Sequence, residues 1–295
     1  MHDIHEILAD RKANLVSEVN ALSKSKFFSI RALLYCLGFV NASVDGLDEE
    51  PARNTFNSSS GETSLPPEWI IEKSSDLIPE KFAGYDVVHD HPTATRMVNY
   101  LTSQLFIALM AELEDYLNQL LKLILLAYPE KLQSKDFDVN SALEQANAEE
   151  ILEEKIDKKI MKKQYGPLRQ FFNFIKTVLG EDNTITQILN ERNIQDPESR
   201  QAEAEKLSLE ALFPRYLEMK ARRDIGIHNG WTRNKLYDDR VADLNLVTDQ
   251  STFLGVSSEY FGQANELAVD VVTKCNLLCK LGFANADGLG VTFKG

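Results

Sequence analysis

The chain reads as an all-α protein, an antiparallel helical bundle with room for one small β-hairpin before its last helix. Three observations carry this. Long stretches repeat apolar residues at i, i+3, i+4 and i+7. Glycine and proline are few, 14 and 9 in 295 residues, and fall mostly at the ends of those stretches. Only two short runs alternate with a period of two.

Taken in order, residues 3–22 carry Ile4, Ile7, Leu8, Leu15, Val19 and Leu22 at helical spacing, and a second short helix is expected over Phe27–Val40. The composition then changes. Between Glu49 and Pro67, 12 of 19 residues are Ser, Thr, Asn, Gly or Pro, which marks a linker. Residues 68–92 hold only short apolar pieces broken by Pro79, Gly84 and Pro92. Thr93 or Thr95 can cap a long helix bearing Leu101, Leu105, Leu109, Leu113, Leu117, Leu120 and Ile124, ending before Pro129. So wide a stripe predicts a central bundle helix. A charged helix follows over about Val139–Gln164, then an apolar one over Leu168–Leu179 stopped by Gly180. Asp182–Gln201 is polar, carries Pro197 and reads as a connection. Leu207–Asn229 is helical around Pro214. Asp243–Thr248 and Thr252–Ser257 supply the hairpin pattern, and Ser258–Leu281 the last helix. The expected organisation is an N-terminal region 1–92, loosely attached, a helical domain 93–283 and a flexible tail 284–295.

The formal net charge of −13 makes the protein as a whole repel nucleic acid and anionic membrane, so a polyanion site must be a local basic patch. The longest uncharged apolar run, Met97–Ala111, is interrupted by Asn99, Thr102, Ser103 and Gln104 and is too short to cross a bilayer. The N-terminus lacks the apolar core of a signal peptide. Cys36, Cys275 and Cys279 contain no C-x-x-C pair; the last two, four apart, suit a core-facing stripe in a reducing compartment. A cytoplasmic protein is expected. No P-loop, G-x-G-x-x-G or nucleophile elbow occurs. His89-Asp90-His91 has ligand-type residues but no further ligands at standard spacing, so no metal and no cofactor are expected.

Two runs are basic. Residues 155–169 carry net +5, but Glu144, Glu149, Glu150, Glu153 and Glu154 lie just upstream, predicting a solvated helix face with local pairs. Residues 215–235 carry net +4 and also His228. In Arg222-Arg223-Asp224-Ile225-Gly226-Ile227-His228-Asn229-Gly230, Leu217, Ala221 and Ile225 form a packing stripe. Asp224 and His228 are one turn apart, so the carboxylate can orient the imidazole. Asn229-Gly230 suits a left-handed C-cap that leaves His228 in an exposed last turn. Arginine suits bidentate phosphate contact, and a histidine can move protons near neutral pH. The same spacing also fits a plain surface helix with a histidine near its C-terminus.

The stretch Arg223-Asp224-Ile225-Gly226-Ile227-His228-Asn229 resembles the signature of the HEPN superfamily: Arg, a polar residue, three more, then His, often followed by Asn. The early helix around Ala111–Leu117, the turn bearing Tyr237 and the final helix over about Glu259–Lys280 extend the likeness to residues 93–283. The resemblance implies a HEPN-type bundle that dimerises through its motif helices. It also implies a metal-independent endoribonuclease, in many members a toxin or antiviral defence effector. On that reading Arg223, His228, Asp224 and Asn229 are catalytic. Arg222, Lys220, Arg233, Lys235 and Tyr237 bind substrate. The partners are RNA, a second copy of the chain in a homodimer or higher oligomer, and a regulatory protein. Gly226 would let two helices approach closely. Gly230 stands where a nucleotidylated subgroup has Tyr, which removes that mode of control. The alternative is a non-catalytic HEPN-like module that binds nucleotide, RNA or a protein.

Overall fold

A computed structural model describes residues 4–48, 91–134, 137–242, 244 and 252–283, with backbone only over 40–48 and 91–99. The linker at 49–67, nearly all of 68–92, the first arm of the expected hairpin (Leu244 apart) and the tail 284–295 lie outside these. The described residues form α1 (Ile4–Asp48), α2 (His91–Ala127), α3 (Val139–Leu143), α4 (Ala148–Gln164) and α5 (Leu168–Leu179). They continue with α6 (Glu181–Glu191), α7 (Pro197–Leu207), α8 (Phe213–Asn229), α9 (Lys235–Val241) and α10 (Ser258–Phe283). The class is all-α. No strand occurs among them; two isolated antiparallel bridges join Ser134 to Phe137 and Thr232 to Phe253.

α2 is the central element, as its stripe predicts. Phe106, Leu109, Met110, Leu113, Tyr116, Leu120, Leu121 and Ile124 are all fully buried. Within the N-terminal region, the described stretch 4–48 differs from expectation. It is one 45-residue helix in place of two short ones, and it packs along both α2 and α10. Its direction follows from its partners. Lys26 Nζ donates to Glu112 at 2.7 Å and Asp115 at 2.6 Å, whereas Lys12 lies 3.9 Å from Glu130, so α1 and α2 run antiparallel. Arg31 pairs with Glu266 while Asn20 meets Asn276, so α1 is antiparallel to α10 as well. Leu15, Val19, Ile30 and Leu37 enter the common core. At about 1.5–3 kcal/mol per buried side chain this outweighs the exposed ion pairs, worth at most about 1 kcal/mol each. The N-terminal helix is therefore an integral part of the bundle.

The polar stretch Ser23-Lys24-Ser25-Lys26, which reads as a break, continues the seam. Ser23 is buried against the Tyr116 hydroxyl, 3.2 Å away, and that hydroxyl donates to the Val272 carbonyl. Two further differences concern lengths. The charged helix is split at Glu144–Asn147, where Asp138 caps a first short helix by accepting from Asn140 N. The polar connection Asp182–Gln201 holds α6 and the start of α7. α6 docks through Ile185, Ile188 and Leu189, and Asp196 caps α7 ahead of Pro197. Buried Glu181 accepts from Ser208 Oγ (2.7 Å) and Leu209 N (3.3 Å), tying α6 to the turn that launches α8.

Candidate functional site

α8 begins with Pro214 in its first turn, where a missing N–H costs nothing. Phe213 packs at a tilt against Phe172 with ring centres 4.7 Å apart, fixing that end. At the other end Gly230 adopts φ +56° and its N–H returns to the Ile225 carbonyl, the C-cap that Asn229-Gly230 predicts. Trp231 follows at φ +64°. Two consecutive left-handed residues fold the chain back along α8 and lay the indole against Gly226. A Cβ on Gly226 would stand 2.5 Å from that ring. The bare face of Gly226 is thus filled by Trp231 of the same chain, which corrects the expectation that it admits a second helix.

One cleft of about 690 Å³ opens beside this helix end. α8 contributes Lys220, Arg223, Asp224, His228 and Asn229. α2 contributes Glu114, and α9 with its N-cap contributes Asn234, Leu236, Tyr237 and Arg240. The corner between α4 and α5 supplies Tyr165 and Arg169. Arg223 and His228 are about 140° apart at ~100° per residue, yet both line the cleft.

Arg223 gets there by leaning toward α2. Its Nη2 donates to Glu114 Oε1 at 2.6 Å, and the same oxygen accepts from Lys220 Nζ at 2.8 Å. Arg223 Nη1 also lies 3.5 Å from Asp224 Oδ1, while its Nε is buried without a hydrogen-bond partner. Two carboxylates therefore offset the Arg223 charge. Beneath them the buried Tyr216 hydroxyl is made a weaker acid, chiefly by burial and then by the Glu114 charge. Asp224 departs from expectation. Its Oδ2 accepts from Arg240 Nη1 at 2.7 Å, so it braces α9 and Arg223 and does not hold the imidazole. His228 stands exposed on the last turn with no hydrogen bond or ion pair among the described residues. Asn229 Nδ2 donates to the Thr232 carbonyl at 2.7 Å and closes the turn behind the histidine.

The expected substrate-binding set divides. Lys220 lines the cleft but is buried on Glu114. Arg222 points the other way: its Nε donates to Glu218 at 2.8 Å, its guanidinium lies 4.1 Å over the Tyr260 ring, and Nη1 reaches the carbonyls of Leu254 and Gly255. Tyr237 borders the cleft, but its hydroxyl is turned inward to Glu218 at 2.8 Å. Tyr260 donates to the other Glu218 oxygen. This buried node of one carboxylate, one guanidinium and two phenols holds α8, α9 and α10 together, and no phosphate can reach Arg222. Arg233 donates to Asp238 at 2.6 Å, and neither it nor exposed Lys235 lines the cleft.

Sequence reasoning missed Glu114, Arg240 and Tyr165. For Glu114 there was a signal. Glu112, Glu114 and Asp115 flank Leu113, Tyr116 and Leu117, and carboxylates that close to a core stripe need cationic partners. The fold and cleft define a helical bundle with an arginine, a histidine and a shared carboxylate at one helix end. No protein-family model, curated protein or solved structure matches the chain. Among the described residues, no helix is long and apolar enough to cross a membrane.

Proposed function

We propose that this cleft is the active site of a metal-independent endoribonuclease of the HEPN class, acting in the cytoplasm as a defence or toxin effector. The observation that carries the reading is that Arg223 and His228, from one helix end, line a single open cleft. The substrate's 2′-oxygen forms a bond to the adjacent phosphorus while the bond to the 5′-oxygen breaks. One imidazole takes the 2′-OH proton and another delivers a proton to the leaving 5′-oxygen. Arg223 stabilises the extra negative charge on phosphorus in the transition state. The products are a 2′,3′-cyclic phosphate and a 5′-hydroxyl.

Each chain supplies one such histidine, and a two-fold dimer supplies both. Ile227, 46% exposed beside His228, and Leu236, 56% exposed in the cleft wall, give the helix end an apolar rim for a second copy. The test is incubation of the purified protein with RNA in EDTA, wild type beside His228→Ala and Arg223→Ala. The expected result is cleavage by wild type alone, with cyclic phosphate ends. Equal cleavage by His228→Ala, or strict need for a divalent ion, overturns the mechanism.

A second reading, a non-catalytic module that binds nucleotide, RNA or a regulatory protein in the same cleft, draws on the Glu114 contact that neutralises Arg223. It predicts ligand binding without product, and no change in RNA length at any enzyme concentration.

A further inference from the structure

The corner between α4 and α5 carries an exposed aromatic with no structural task. Tyr165 is 84% exposed, makes no hydrogen bond through its hydroxyl among the described residues, and yet lines the cleft that holds Arg223 and His228. Leaving a phenol ring in water forgoes most of the burial free energy it could gain. The turn that displays it is stiff. Tyr165 N donates to the Met161 carbonyl and Gly166 N to the Lys163 carbonyl, and Pro167 fixes the next residue as it opens α5. A Cβ on Gly166 would lie 3.3 Å from the Lys162 carbonyl, so the corner closes tightly. A ring held this way loses little freedom on binding.

The charges around it are sorted as well. Of the upstream glutamates, Glu154 alone pairs with a lysine of the run among the described residues. Glu149 is taken by Arg11, Glu153 and Asp157 by Lys122, and Glu154 by Lys158. Lys155 and Lys159 lie over the rings of Phe137 and Phe174. Lys162 and Lys163, in the last turn of α4, have no carboxylate within ion-pair distance among the described residues. Burial chiefly, and then the neighbouring charges of Lys163 and Lys155, lower the Lys159 pKa. Two unpaired cations thus lead directly into Tyr165, and Tyr165 into the cleft.

The geometry points to a nucleobase subsite: Tyr165 stacks one unpaired base of a single-stranded RNA flanking the cleaved phosphate, while Lys162 and Lys163 take its backbone phosphates. This rests on the nuclease reading for the place of cleavage but not for binding. A base offers its flat face to Tyr165 only when it is free of its neighbours, so the subsite selects single strands over duplex. A stacked base accounts for roughly 5- to 100-fold in affinity.

The test uses the full chain carrying His228→Ala and fluorescence anisotropy with a labelled mixed-sequence 12-nucleotide RNA, its duplex and an acidic peptide of equal charge. Tyr165→Ala should weaken single-strand binding about ten-fold, and Tyr165→Phe should restore it to within about two-fold. Lys162→Ala with Lys163→Ala should reduce the slope of log affinity against log salt by about 1.4. Unchanged single-strand affinity in Tyr165→Ala overturns the subsite, and so does equal binding of the duplex or the acidic peptide. The nuclease reading is scored separately by wild-type cleavage in EDTA. Tyr165-dependent binding without cleavage keeps the subsite and removes the nuclease; cleavage with no Tyr165 dependence does the reverse.

Discussion

Glu114 and Arg223, 109 residues apart in the chain, meet at 2.6 Å across the contact between α2 and α8. The carboxylate oxygen that holds the guanidinium also holds the Lys220 amine, so one negative charge serves two cations. Glu114 thereby fixes where the arginine points and sets how much of its charge remains for an incoming phosphate. A phosphate that engages Arg223 competes with Glu114 for it.

Glu114→Gln keeps the side-chain volume and removes that competitor. The variant should bind RNA more tightly, because Arg223 and Lys220 gain uncompensated charge. It should also be less stable, by about 1–3 kcal/mol, since the Lys220 amine stays buried with a weaker acceptor. Thermal unfolding and anisotropy on one preparation check both signs. Unchanged RNA affinity with lowered stability would leave Glu114 a purely structural partner.

Gly226→Ala tests two opposed effects. Alanine is favoured over glycine inside a helix by about 1 kcal/mol. Its methyl would stand 2.5 Å from the Trp231 indole, and overpacking of this kind costs about 1–3 kcal/mol. The clash should win, lowering the melting temperature and displacing the indole. In a Trp69→Phe background the Trp231 emission should shift to the red. A stabilised protein with unshifted emission would mean that the turn after α8 yields freely.

The thiols report on the core. Burial pushes the Cys279 thiol up to about 12 and raises Cys275 further, while Cys36 is exposed. At pH 8 one thiol per chain should react rapidly with a disulfide reagent, and three after denaturation. The same shifts give a pH dependence with a definite sign. In the native state the thiols keep their protons above the ordinary value of 9.0, so the unfolded state binds fewer protons in that range. Stability should therefore be flat with respect to these groups below pH 9 and fall as pH rises from 9 toward 12. A stability rising with pH over that interval would contradict the burial of both thiols.

How much of this was legible in the sequence depended on whether the signal was local. The end of α5 at Gly180 and the end of α8 at Gly230 were readable, because a left-handed cap is written in one or two residues. So was the place of Arg223 and His228 on one helix end. The continuity of α1 was not, since Ser23 and Lys26 look like interruptions until Tyr116, Glu112 and Asp115 are brought beside them. α6 escaped because three apolar residues make too short a stripe to separate from a polar connection. Arg222 was misplaced for a related reason. Charge patterning assigns arginines to the surface, and only the remote Tyr260 and the Leu254 and Gly255 carbonyls make a buried one affordable.

The docking of α1 against α10 has a kinetic consequence. Asn265 donates to the Ile30 carbonyl across a separation of 235 residues, so the first helix must wait for the last before that seam can close. At 5–20 residues per second, α10 leaves the ribosome roughly 10–50 s after its partner. Because Tyr260 on that late helix also anchors Glu218 and Arg222, the motif helix gains its final support only then. A nascent chain therefore cannot complete the support of the cleft until α10 has been made.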